Sequence, residues 1–179
     1  MPTMSGGANF RAVLTKMAAK LTKPGTVRVG FLEGSTEPDG TSIPMIAAIQ
    51  EFGAPRAHIP PRPFFRTMIS AKSPGWPDAI ATNLQATNYD IPVTLRRMGN
   101  GIAGQLRESI IDLYSPPLSP VTVMLRGMKS NDQSLVVTRK TVEEARARVE
   151  AGLTNYGAST KPLIDQGNLL NAVDYEVIT

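Results

Sequence analysis

The chain has no cysteine and a single histidine, His58, among 179 residues. The first absence removes disulfides, thiolate nucleophiles and zinc sites built on sulfur. The second means that a Ser-His-Asp triad, or any metal site containing histidine, must use His58. No apolar run approaches the roughly 20 residues that cross a bilayer. Residues 1–9 have neither the basic start nor the apolar stretch of a secretory leader, so synthesis in a cytosol and no membrane partner are expected. Charged residues make up 19% and hydrophobic ones 41%, the balance of an ordinary globular domain rather than a disordered chain. One domain over 1–179 is expected at this length.

Fifteen prolines and fifteen glycines are more than average, and they cluster where loops are expected. The +4 formal charge is also localised. Residues 1–88 hold nine Lys/Arg and five Asp/Glu, whereas 89–179 hold ten of each. Within the first half, 54–72 carries Arg56, Arg62, Arg66 and Lys72 and no acid. Such a patch can face nucleic acid, an acidic partner or solvent.

Phe10, Val13, Leu14, Met17 and Leu21 fall at helical spacing and predict an amphipathic helix over 8–22. Val27, Val29 and Phe31 alternate with other residues and predict a strand over 26–32. Ser42 and Pro44 can start a helix that carries Ile46, Ile49 and Phe52 and stops at Gly53. The prolines between Ala54 and Pro63 predict a stiff, extended loop. A short helix then follows over 64–72, and another runs from Asp78 towards Asn88.

The strongest pattern is 90–114, where Ile91, Val93, Leu95, Met98, Ile102, Leu106, Ile110 and Leu113 mostly step by three or four. Asp90 is the expected N-cap. Gly99, Gly101 and Gly104 each cost about 1 kcal/mol against alanine inside a helix. They imply a close neighbour or a bend, with a break near Gly99-Asn100-Gly101 as the alternative. The same glycines suggest a dinucleotide-binding loop only superficially, because no strand precedes them.

Beyond this helix, Ser119 caps a short turn or helix from Pro120 to about Arg126, and 133–138 reads as a strand. Thr141 with Glu144 fits a capping box for a helix ending near Gly152. Asn155–Thr160 reads as a small polar loop. Asp165 caps a last helix containing Leu169 and Leu170, and 172–178 is a strand. The fold expected is α+β, with a small antiparallel sheet pairing the N- and C-terminal strands. Amphipathic helices, including the long one near 90–114, cover that sheet.

Chemistry finds little support in the residues. His58 lies in a proline-rich loop without a nucleophile or acid in motif. Glu143 and Glu144 are sequence neighbours and point to different faces of a helix. Asp90, Asp112 and Asp165 read as caps or surface residues. No catalytic residue, metal or cofactor is expected. The 54–72 segment, with Phe64 and Phe65 among its cations, supports an alternative reading as a basic nucleic-acid-binding protein.

Three stretches, taken in order, carry a resemblance. The first is Ala48-Ile49-Gln50-Glu51-Phe52-Gly53 followed by Ile59-Pro60-Pro61-Arg62-Pro63-Phe64-Phe65-Arg66. The second is Pro117-Leu118-Ser119-Pro120 with Thr122. The third is Lys161-Pro162-Leu163-Ile164-Asp165, then Gly167-Asn168-Leu169-Leu170. Together they resemble the tailed-bacteriophage neck and tail-completion family, also called virion morphogenesis or head–tail joining proteins. Gln166 departs from the family's usual threonine, and 129–160 resembles an insertion.

The resemblance implies a non-enzymatic structural subunit of the virion neck, assembled in the host cytoplasm. It would form a homo-oligomeric ring, a hexamer first and a dodecamer second. Its neighbours would be head–tail connector and tail terminator or tube proteins, with transient contact to passing DNA. The segment Ile59, Pro60, Pro61, Arg62, Pro63, Phe64, Phe65 and Arg66 is the expected subunit contact, with one phenylalanine as anchor. Arg62 and Arg66 are the candidates for lining a DNA channel.

Overall fold

Residues Ile91–Ile111 form one unbroken helix, α5, and the rest of the molecule is arranged around it. The structure is a computed structural model that describes residues 7–21, 24–31, 33–37, 39–153, 157–165 and 167–178. Asp90 caps α5 by accepting from the Val93 amide at 3.0 Å. Thr94, Met98, Gly99, Ala103, Leu106 and Ile110 form its buried stripe. The pattern continues into Leu113, yet the helix ends at Ile111, ahead of Pro116 and Pro117.

Two strands lie on this stripe. β1 (Thr26–Phe31) and β2 (Val173–Ile178) pair antiparallel, with Val29 opposite Tyr175 and Phe31 opposite Val173. This is the expected α+β arrangement, with terminal strands joined in one small sheet. Gly99 is where α5 meets the sheet most closely. A Cβ there would lie 2.3 Å from the Tyr175 ring and 2.8 Å from Val27, whereas one at Gly101 or Gly104 would meet nothing within 4 Å. The helix therefore does not break at the glycines. One of them admits an aromatic ring against the backbone, and the other two face open space.

Opposite signs are expected on substitution. Gly99→Ala should destabilise by about 1–3 kcal/mol through overpacking. Gly101→Ala and Gly104→Ala should each stabilise by up to about 1 kcal/mol through helix propensity. Urea denaturation of the three variants checks this.

α3 (Phe64–Lys72) and α4 (Trp76–Ala86) also pack on α5, and α2 (Ile43–Phe52) packs on α3 and β1. Ser42 caps α2 through the Met45 amide, as expected. Phe64 and Met68 join Leu106, Ile110, Ile43, Ala47, Leu163, Leu169 and Val173 in one core. Phe31 meets Phe64 edge-to-face at 6.1 Å. Trp76 reaches α5 by donating to Gln105 Oε1 at 3.0 Å. α1 (Gly7–Leu21) begins and ends within a residue of its expected helix, though residue 22 and the Leu21 side chain lie outside the described residues.

A second, smaller core joins α6 (Pro120–Asn131) to α7 (Arg139–Glu150) through Met124, Met128 and Ala145. α6, capped by Ser119 through the Thr122 amide, is longer than expected and runs into the stretch read as an insertion.

Three local expectations are corrected. Residues 133–138 are not a strand. Among the described residues no strand pairs with them, and a turn on Asp132 carries Leu135 into the small core while Val136 and Val137 stay exposed. Thr141 is not the cap of α7. Thr138 is, and Thr141 reciprocates from the third helical position, its Oγ1 accepting from the Thr138 amide at 2.7 Å. Asp165 does not cap the last helix. The last helix, α8 (Asn168–Asn171), starts after Gly167 without a side-chain cap. Of the expected 155–160 loop, residues 155 and 156 lie outside the described residues, as does Gln166.

Candidate functional site

The proline segment is not extended throughout. Ala54 and Ile59 bond each other's backbone in both directions, at 2.9 and 3.1 Å, and close a tight loop over Pro55–Ala57. Proline's fixed φ suits the first position of a turn as well as an extended run. His58 sits exposed at the end of that turn in the left-handed region, at φ 55°. Gly53 allows the loop to close, since it has φ 77° and a Cβ there would lie 2.8 Å from the Pro61 nitrogen.

After Ile59 the residues divide by direction. Pro60 and Pro61 are exposed, Ile59, Pro63 and Phe65 are half-buried, and Arg66 is exposed. Phe64, 1% exposed, belongs to the core. Arg62 is only 3% exposed, which corrects its assignment to a channel surface. Its guanidinium donates to Gln50 Oε1 at 2.9 Å, Pro116 O at 2.9 Å and Pro117 O at 3.1 Å. A planar fork with five donors fits three divergent acceptors, which a lysine could not satisfy together. Burial and the nearby charge of Arg126 hold the Arg62 pKa below its ordinary value.

Two residues that the sequence reading did not single out complete the arrangement. Glu51 is buried at the end of α2. Its carboxylate accepts from the Phe65 amide at 2.9 Å, the Arg66 amide at 3.2 Å and Arg66 Nε at 2.7 Å. Pro63 gives α3 no side-chain cap, so Glu51 of a neighbouring helix supplies it, with the favourable sign for a helix N-terminus. Arg66 then spreads over the exposed Phe52 ring, 5.1 Å from its centroid.

Arg126, on α6, donates to Ser159 O, Lys161 O, Pro162 O and Ile164 O at 2.7–3.2 Å. It also lies 3.6 Å from Asp165 Oδ2. Desolvation lowers its pKa, and Asp165 opposes that shift. The role of Asp165 is thus to balance this half-buried cation. The spacing of Ile43, Ala47 and Glu51, each four apart on one helical face, held a signal for the buried carboxylate. Nothing comparable marked Arg126.

These contacts redistribute the basic segment. Arg62 is buried, Arg66 is paired with Glu51, and Lys72 lies 3.4 Å from Glu108. Arg56 and buried Arg62 are its two cations without an ion pair among the described residues, and of these only Arg56 is exposed.

Two surface features remain. A groove of about 500 Å³ opens between α3 and the last turn of α5, with Phe64, Met68, Leu113 and Tyr114 in its lining and Glu108 and Asp112 along one side. α1 leaves Phe10, Val13 and Leu14 exposed at 65%, 49% and 48%. Among the described residues no group of His, Asp and Glu could hold a metal ion, and no helix is long and apolar enough to cross a membrane. No family model matches this chain, and no significant match was found among curated proteins or solved structures.

Proposed function

We propose that the chain is a non-enzymatic structural subunit of a tailed-phage neck. It forms a homo-oligomeric ring, a hexamer first and a dodecamer second, that joins the head and portal to the tail and lets DNA pass. The observation that carries this reading is the linkage of the three resembling stretches. Arg62 of the first donates to Pro117 of the second. Arg126 follows the second on α6 and gathers Lys161, Pro162 and Ile164 of the third. Segments far apart in sequence thus behave as one clamped unit, which a chance likeness of short motifs gives no reason to expect.

A clamped frame suits a ring subunit. A contact surface held rigid before assembly loses little conformational entropy when it docks. Pro60, Pro61, Arg66 and Phe52 form the outward side of that frame, Phe64 and Arg62 its inner side, and half-buried Phe65 lies between them. The anchor within the segment is therefore Phe65 rather than Phe64. Arg66 remains as a mild cation for a lumen, screened by Glu51, as a passage for moving DNA requires. The same pairing weakens the case for a dedicated nucleic-acid-binding patch over 54–72.

Complementation tests the proposal. Deleting the coding sequence from a phage genome that carries it should yield filled heads and free tails that do not join. Adding the purified chain should restore plaque-forming particles. Normal joined particles from the deletion would contradict the reading.

A further inference from the structure

The C-terminal end of α1 and the groove beside α3 lie at opposite ends of α5, and we infer that α1 of one copy occupies that groove on the next copy of this chain. The inference rests on the ring reading and specifies its subunit contact. α1 is held to its own body by little. Among the described residues it packs closely on no other element, and Lys20 Nζ donates to Asn88 O at 2.8 Å. Residues 9–20 are exposed except for half-buried Met17. Phe10, Val13, Leu14 and Met17 fall at the i, i+3, i+4, i+7 spacing by which a helix lies in an apolar groove.

Charge identifies the occupant. Between Gly7 and Leu21 the helix carries Arg11, Lys16 and Lys20 and no acid. On a helical wheel Arg11 lies on one flank of the apolar stripe, with Lys16 and Lys20 on the other. The groove carries Glu108 and Asp112, against one cation, Lys72, already paired with Glu108. Asp112 makes no ion pair among the described residues. A basic helix and a groove with an acidic side fit each other on the same sequence.

Reach disfavours self-docking while Lys20 stays bonded to Asn88. The end of α1 is tied at Asn88, just before α5, whereas Glu108 lies about 26 Å along α5 from Ile91 at 1.5 Å per residue. Phe10 lies only about 15 Å along α1 from Lys20 by the same rise. A copy therefore cannot fill its own groove in this arrangement. Donor and acceptor surfaces differ, so the contact is head-to-tail and generates a closed ring or an open filament.

The native chain has no cysteine, which makes the test direct. The full-length chain carrying both Leu14→Cys and Ala71→Cys, assembled and mildly oxidised, should give a ladder of covalent multimers on a denaturing gel. The two single variants should crosslink when mixed and not when separate. Leu14→Asp, at an exposed position, should keep the native circular dichroism and lose the multimers in light scattering. Multimers that form without the Leu14–Ala71 crosslink, or that survive Leu14→Asp, would overturn the docking while leaving the ring reading intact. A chain that stays monomeric at all concentrations and does not crosslink would also overturn it. Failure in the head–tail complementation is a separate result and would remove the neck reading itself.

Discussion

Arg62→Ala is expected to lower the stability of the fold by about 3 kcal/mol, because hydrogen bonds to a charged group each contribute about 1.5–3 kcal/mol and the site is closed to water. The guanidinium is buried and bonds three oxygens from two parts of the chain, Gln50 on α2 and Pro116 and Pro117 before α6. Removing it leaves those acceptors facing a void. Arg62→Lys should recover less than half of the loss. A single ammonium cannot point at all three acceptors, and it carries its full hydration cost into the site. The damage should be local before it is global. Amides of 116–122 should lose hydrogen-exchange protection in Arg62→Lys, while those of α5 keep it. Equal protection in both segments would mean that Arg62 does not hold the two together.

Glu51→Ala is the second large effect, at about 2–3 kcal/mol. A lost N-cap typically costs about 1 kcal/mol, and buried donors left without a partner add about 1–3 kcal/mol. The carboxylate serves the Phe65 and Arg66 amides, and α3 has no cap of its own. The ion pair with Arg66 is a minor part, since that guanidinium side chain is 59% exposed and exposed pairs contribute about 0–1 kcal/mol. Glu51→Ala should therefore destabilise by clearly more than Arg66→Ala, with Glu51→Gln between them. Equal effects of Glu51→Ala and Arg66→Ala in denaturant titrations would show that the ion pair, not the cap, is what matters.

The two effects show which parts of this molecule can be read in its sequence. Long periodic elements were legible. The stripe of α5, the alternation of Val27, Val29 and Phe31, and the caps Asp90 and Ser42 all follow from local rules, and tertiary packing agrees with them. Contacts between distant residues were not. Arg62 looks like a surface cation in a proline loop, and only the later arrival of Pro116 and Pro117 makes its burial favourable. Val136-Val137 has strand propensity, but propensity yields no strand without a partner edge. At α7 two threonines three apart compete for the cap, and the side chains decide for Thr138. Asp165 has the residue type of a cap, yet the half-buried Arg126 guanidinium draws it away. Glu51 was the one hidden feature with a local signal, its four-residue spacing from Ala47 and Ile43.

The central claim is architectural, so electron cryomicroscopy of the virion bears on it most directly. A map of the head–tail junction should show a ring of identical copies coaxial with the portal, each with a bound helix from its neighbour beside Phe64 and Leu113. A junction in which this chain is absent, while particles made without it are whole and infectious, would contradict the account.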